Sequence, residues 1–134
     1  MTAVADLLTF DRFVPGAEIG RFTECIGADV LARWRALYPW DAPAGDRLPN
    51  GLATVLLMRG YMNTLSPRPP GNVHARQTLA LHSAPRVGEA VTTTYRCAGK
   101  EMRRERRYVE VDAQARGEDG RLLFDGRMTL IWAA

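Results

Sequence analysis

Residues 48–65, reading LPNGLATVLLMRGYMNTL, constrain the fold of this chain more than any other stretch. From Leu52 onward apolar side chains occupy almost every angular position of a helix, interrupted mainly by Thr54, Arg59 and Asn63, and Asn50 stands where an N-cap would. The stretch is too short and too interrupted for a membrane span, which needs about 20 mostly apolar residues. A helix apolar nearly all round must therefore be covered by protein nearly all round. The chain that follows is strand-like almost to its end, and that supplies the cover.

Composition sets the outer bounds. With 134 residues, 46% of them apolar and 25% charged, the sequence predicts one domain over residues 1–134 with enough material for a real core. The net charge of +3 rests on arginine, Lys100 being the only lysine. Such a balance suits phosphate-bearing ligands without arguing for nucleic acid. Cys25 and Cys97 lack metal-ligand spacing and read as small core residues in a reducing compartment. Residues 1–8 carry no basic start, long apolar run or cleavage site, so no export signal is visible and a cytoplasmic, non-membrane location is expected. No glycine-rich phosphate loop appears, and neither a metal nor a cofactor is expected.

Along the chain, residues 9–16 read as an irregular lead-in anchored by Phe10, Phe13 and Val14. A short strand is predicted over 18–26, with Ile19 and Phe22 inward and Gly27 ending it. Over 28–38 the period changes to helical: Val30, Leu31, Trp34, Leu37 and Tyr38 share one face, and Arg33 and Arg35 face solvent. Residues 40–47 hold Pro43, Gly45 and two aspartates, the composition of a loop leading to the apolar helix. Pro67, Pro69, Pro70 and Gly71 then force a surface crossing. Strands follow at 73–83, 90–98, 102–115 and 122–132. In the first, strict alternation puts Val73, Ala75, Gln77, Leu79 and Leu81 on one face and His74, Arg76, Thr78, Ala80 and His82 on the other. In the third, Val109, Val111, Ala113 and Ala115 share a face, and Asp119-Gly120 marks a hairpin turn.

A sheet wrapped round one long helix satisfies this order with the fewest uncovered surfaces. The order, together with the phrase Pro85-Arg86-Val87-Gly88-Glu89 between the first two late strands, resembles the α+β hot-dog fold and, within it, the MaoC-like dehydratase and hydratase group, over roughly residues 13–132. That resemblance implies an acyl thioester, on coenzyme A or an acyl carrier, as ligand. It also implies a homodimer whose sheets join, with the ligand in a tunnel at the interface. Hydratases of the group carry an aspartate and, about five residues on, a histidine in the loop before the central helix. The two activate one water, while an amide at the helix start polarises the thioester carbonyl.

In this chain Asp41 falls at the aspartate position and Asp46 at the histidine position, and the loop is shorter. Two carboxylates do not reproduce an Asp/His pair unless one pKa is raised. Asp41 and Asp46 read either as a divergent catalytic dyad or as turn and cap residues. Gly51 matches the position whose amide would face a carbonyl oxygen. Leu48, Asn50, Gly51, Leu52 and Tyr61 are candidate substrate contacts. His74 is a third catalytic candidate if a second subunit covers its face; it lies about 26 Å along the strand from His82, so the two cannot share one reacting atom. The run from Lys100 to Arg107 reads as a solvated hairpin or, through Arg103, Arg104 and Arg106, as a phosphate contact. Thioester hydrolysis, or a non-catalytic subunit completing a site with a partner chain, are the alternatives to hydration and dehydration.

Overall fold

The computed structural model describes residues 6–43 and 45–134. The first five residues of the 1–8 segment, and Ala44 of the 40–47 loop, lie outside that description. A 3-10 turn, Phe10–Arg12, leads into β1, Glu18–Cys25, and α1, Ala28–Leu37. The central helix α2, Leu52–Thr64, is followed by β2, Val73–Leu81, β3, Ala90–Arg103, β4, Arg106–Arg116, and β5, Leu122–Trp132. The strands form one antiparallel sheet in the order β1-β3-β4-β5-β2.

α2 packs on β1 and β3. Leu52, Ala53, Leu56, Leu57, Gly60 and Tyr61 form its buried face. They meet Val91, Tyr95 and Cys97 of β3, Val109, Val111, Ala113 and Ala115 of β4, and Met128, Leu130 and Trp132 of β5 in one core. Each buried leucine there contributes about 1.5–3 kcal/mol. The cover is less complete than the helix's composition suggests: Met62 is 50% exposed, because α2 presents one side to the sheet and leaves another uncovered.

Tyr95 fixes the depth at which helix and sheet meet. Its hydroxyl donates to the Leu57 carbonyl at 2.6 Å, and a Cβ placed on Gly60 would lie 2.2 Å from that oxygen. Glycine at 60 is therefore a close-approach requirement in mid-helix, where alanine would otherwise be favoured by about 1 kcal/mol. Burial, then the charge of Glu24, push the Tyr95 phenol well above its ordinary value, so it stays a donor.

The expected turn at 85–89 forms and is locked by Glu89, whose carboxylate is 8% exposed. It accepts the backbone amides of Arg86 and Glu118 and two bonds from Arg121, tying the β2–β3 connection to the β4–β5 hairpin. Burial alone would raise its pKa; the Arg86 amide, Arg121 and the Glu118 amide outweigh it and hold the carboxyl below its ordinary value. At the other end, the lead-in is strapped down by Trp132 Nε1 donating to the Leu8 carbonyl and by Lys100 Nζ donating to the Phe10 carbonyl.

Several sequence expectations change. Two β-bulges reverse side-chain parity: the register shifts between His74 and Arg76 on β2 and between Cys97 and Gly99 on β3. His74 therefore pairs with the inward-facing Leu130 and reaches the Tyr61 ring on the helix side, while His82 stays outside on Asp125. β3, expected over 90–98 with Gly99 and Lys100 starting its exit, continues through the bulge to Arg103, and the hairpin turns at Arg104-Glu105. On α1 only Leu31 is fully buried; Leu37 and Tyr38, expected inward, are 68% and 40% exposed. Cys97 is buried, Cys25 is exposed, and both are free thiols.

Gly60→Ala is expected to destabilise the protein by about 1–3 kcal/mol in urea titrations, through overpacking against Tyr95. The same change in a Tyr95→Phe background should cost clearly less, since the obstructing oxygen is gone. Glu89 also makes stability pH-dependent. A carboxyl with a lowered folded-state pKa contributes fully above its unfolded value, about 4.5, and loses that contribution as pH falls through the folded value. Glu89→Gln should thus lower stability at pH 7 and flatten the loss of stability below pH about 4.5, measured by urea unfolding across pH.

Candidate functional site

The start of α2 lies against the C-terminal half of α1. Gly51 occupies the N-cap position with helical backbone angles and offers no side-chain cap. Asn50, expected to cap, contributes only its carbonyl, which accepts the Ala53 amide. The cap comes from ten residues upstream: Asp41 Oδ2 accepts the Gly51 amide at 3.0 Å and, on the same oxygen, Trp34 Nε1–H at 3.1 Å. Asp41 is half-buried. A negative group at the positive end of the helix dipole is favourably placed. Any Cβ at Gly51 would sit 2.4 Å from the Trp34 ring and 2.7 Å from that Asp41 oxygen, so only glycine admits both partners.

Trp34 packs against Tyr38 with ring centroids 4.5 Å apart and the planes tilted by 46°, and Tyr38 meets Trp40 edge-on at 5.9 Å. Trp40 is 79% exposed, which makes these rings an aromatic rim beside the helix start. The sequence pattern marks Trp34 only as a core-face residue of α1; its indole N–H is a site feature that pattern does not reveal.

The remaining candidates are spread out. Asp46 is exposed and lies 3.8 Å from Arg86, and its carbonyl accepts the Val87 amide, so Asp41 and Asp46 are held by different partners. Leu48 and Leu52 are core residues beneath the helix start. Tyr61 is buried beside His74, with Arg68 over its ring at 5.5 Å; burial raises its pKa and Arg68 partly offsets that. Tyr61 is ten residues beyond Gly51, about 15 Å along the axis, so in one protomer His74 and Asp41 sit towards opposite ends of α2.

Arg103, Arg104 and Arg106 cluster at the β3–β4 hairpin. Arg103 lies over Tyr108 at 4.2 Å and lines a cleft with Arg76, Glu110 and Thr129 on the sheet's outer face. Thirteen residues separate Arg103 from Ala90 at the helix-start end of β3, roughly 40 Å of strand. Within this chain these arginines are far from Gly51.

A five-stranded antiparallel sheet in this order around one long helix is the hot-dog fold. Solved structures share it over nearly the whole chain. The MaoC-like dehydratase from Rhodospirillum rubrum matches with TM-score 0.80 and 11% identity, covering 95% of this chain and 98% of that one. The (R)-hydratase of A. caviae involved in PHA biosynthesis matches at 0.70 and 19%, covering 90% and 98%. The C-terminally truncated HadBC (3R-hydroxyacyl-ACP dehydratase) complex of Mycobacterium tuberculosis matches at 0.70 and 17%, covering 87% and 96%. No protein-family model matches the sequence, and neither does any curated protein.

Asp41→Ala removes the cap and should cost about 1 kcal/mol in chemical denaturation, whereas Asp41→Asn retains an acceptor oxygen and should cost less.

Proposed function

We propose that this protein is a MaoC-like hot-dog protein that binds an acyl thioester, on coenzyme A or an acyl carrier, at the start of α2, and that it belongs to the hydratase and dehydratase class. The observation that carries the reading is the helix-start amide of Gly51 with a carboxylate, Asp41, in direct contact. An incoming thioester carbonyl would take the place of Asp41 on that amide and leave the displaced carboxylate beside the acyl group. In hydration of an enoyl thioester, Asp41 would take a proton from water as the water oxygen bonds to Cβ. The electrons move through Cα to the carbonyl oxygen, and the proton is returned to Cα. Dehydration is the reverse. One carboxylate can serve as base and then acid, at a slower rate than a dedicated pair.

The single carboxylate also favours a second reading, thioester hydrolysis. There Asp41-activated water adds to the carbonyl carbon, the C–S bond breaks, and the thiolate leaves with the proton. The absent histidine is no obstacle to that reaction.

β2 lies at the sheet edge, hydrogen-bonded on one side to β5, and exposes Val73 and Leu81. An edge of this kind invites strand pairing, and we place the homodimer interface there, with His74 near it. No described helix is long and apolar enough to cross a membrane; a cytoplasmic setting fits the two free thiols.

The test is incubation with crotonyl-CoA and with butyryl-CoA, following loss of enoyl absorbance and release of thiol. Crotonyl-CoA hydration is expected, and Asp41→Asn should reduce it at least about 100-fold with little change in thermal stability. Thiol release from butyryl-CoA without hydration selects the second reading. Neither signal in the wild type, or full activity in Asp41→Asn, refutes the enzymatic role of Asp41.

A further inference from the structure

We infer that Trp34 is a second oxyanion donor: its indole N–H and the Gly51 amide form a two-point cradle for the thioester oxygen, a position that Asp41 Oδ2 occupies in this structure. This rests on the thioester reading above and names a residue that reading does not need.

The geometry is specific. A helix cap needs one acceptor on one amide, yet here two N–H groups, from α1 and from the start of α2, converge on a single oxygen at 3.1 and 3.0 Å. Those distances fall in the range required between oxyanion donors and the oxygen they stabilise. Asp41 Oδ2 thus marks where a developing oxyanion would sit. Trp34 is held there by its tilted ring contact with Tyr38, and Gly51 supplies the clearance that brings indole and amide together. Both donors are fixed by packed elements, so little reorganisation is needed when charge develops.

As water adds to Cβ, the electron pair of the double bond moves to the carbonyl oxygen, now held by both N–H groups. No proton leaves Trp34, and the charge returns to carbon when Cα takes the proton from Asp41. Asp41 in the same position is a competitor for the cradle as well as the base. Its removal should therefore strengthen binding of a preformed oxyanion while abolishing turnover.

The experiment uses full-length protein with acetoacetyl-CoA, whose enolate absorbs in the near ultraviolet, alongside crotonyl-CoA turnover. Trp34→Phe keeps an aromatic ring against Tyr38. Site-specific replacement of Trp34 by 3-benzothienylalanine keeps the bicyclic shape and removes only the N–H. Both should lower kcat about 100-fold with KM changed less than about threefold. Both should weaken the bound-enolate band, whereas Asp41→Ala should strengthen it. A purely structural Trp34 would move binding in Trp34→Phe and Asp41→Ala the same way, or leave the benzothienyl variant unchanged; either result overturns the inference while the thioester reading stands. Wild-type protein that neither turns over crotonyl-CoA or butyryl-CoA nor binds acetoacetyl-CoA overturns both.

Discussion

The hydrogen bond from Tyr95 to the Leu57 carbonyl, made through the gap that Gly60 leaves, sets how closely helix and sheet approach. α2 has little amphipathic character of its own, and its position cannot be fixed by a polar stripe facing solvent. It is fixed by one buried donor on β3 that must find a helical carbonyl, because an unpaired hydroxyl at that depth would be costly. With the helix seated by that contact, Leu52, Leu56 and Leu57 share one close-packed core with Val91 of β3 and the small Ala113 and Ala115 of β4. The seating also sets the height of Gly51 relative to α1, and so the place where Asp41 and Trp34 can meet it.

A second constraint acts at the loop ends. Glu89 is buried and has four hydrogen bonds, so the β2–β3 turn and the β4–β5 hairpin are joined by a single carboxylate. The same turn gives the Pro85 carbonyl to Leu48 and the Val87 amide to Asp46. The sheet thereby anchors the segment that delivers the chain to α2. Asp46 takes part in this anchoring, through its carbonyl on the Val87 amide and its carboxylate 3.8 Å from Arg86, whereas Asp41 is held at the helix start.

The element order was legible in the sequence because its signals are local: the apolar density of residues 52–61, the alternation of Val109, Val111, Ala113 and Ala115, the Asp119-Gly120 turn. The faces of β2 and the length of β3 were not. A bulge changes nothing in composition yet reverses parity for every residue beyond it, so strict alternation carried His74 to the wrong side, and Gly99 with Lys100 read as the end of a strand that in fact runs on to Arg103. The site was half legible. Asp41 and Gly51 follow from the resemblance of the loop and the helix start, but their bond, ten residues apart, and the part played by Trp34 depend on how α1 packs beside α2. Periodicity cannot separate an indole that fills a core from one whose N–H is aimed at a carboxylate.

The helix start also explains how a chain without the histidine can retain a working scaffold. The first amides of a helix have no partner within it and carry partial positive charge, and left open such an end would be solvated or would attract any available anion. Asp41 satisfies that end internally, so stability and ligand entry make opposing demands on one carboxylate. A ligand must offer an oxygen good enough to displace it, and two convergent donors make a neutral carbonyl a poor competitor in the ground state. The same oxygen becomes a strong competitor once it gathers negative charge. On the proposed thioester reading, such an arrangement would favour the transition state over the bound substrate, which is the condition for acceleration rather than mere binding. On that reading Trp34, Asp41 and Gly51 act as a unit, because changing any one of them would alter both the cap and the proposed cradle.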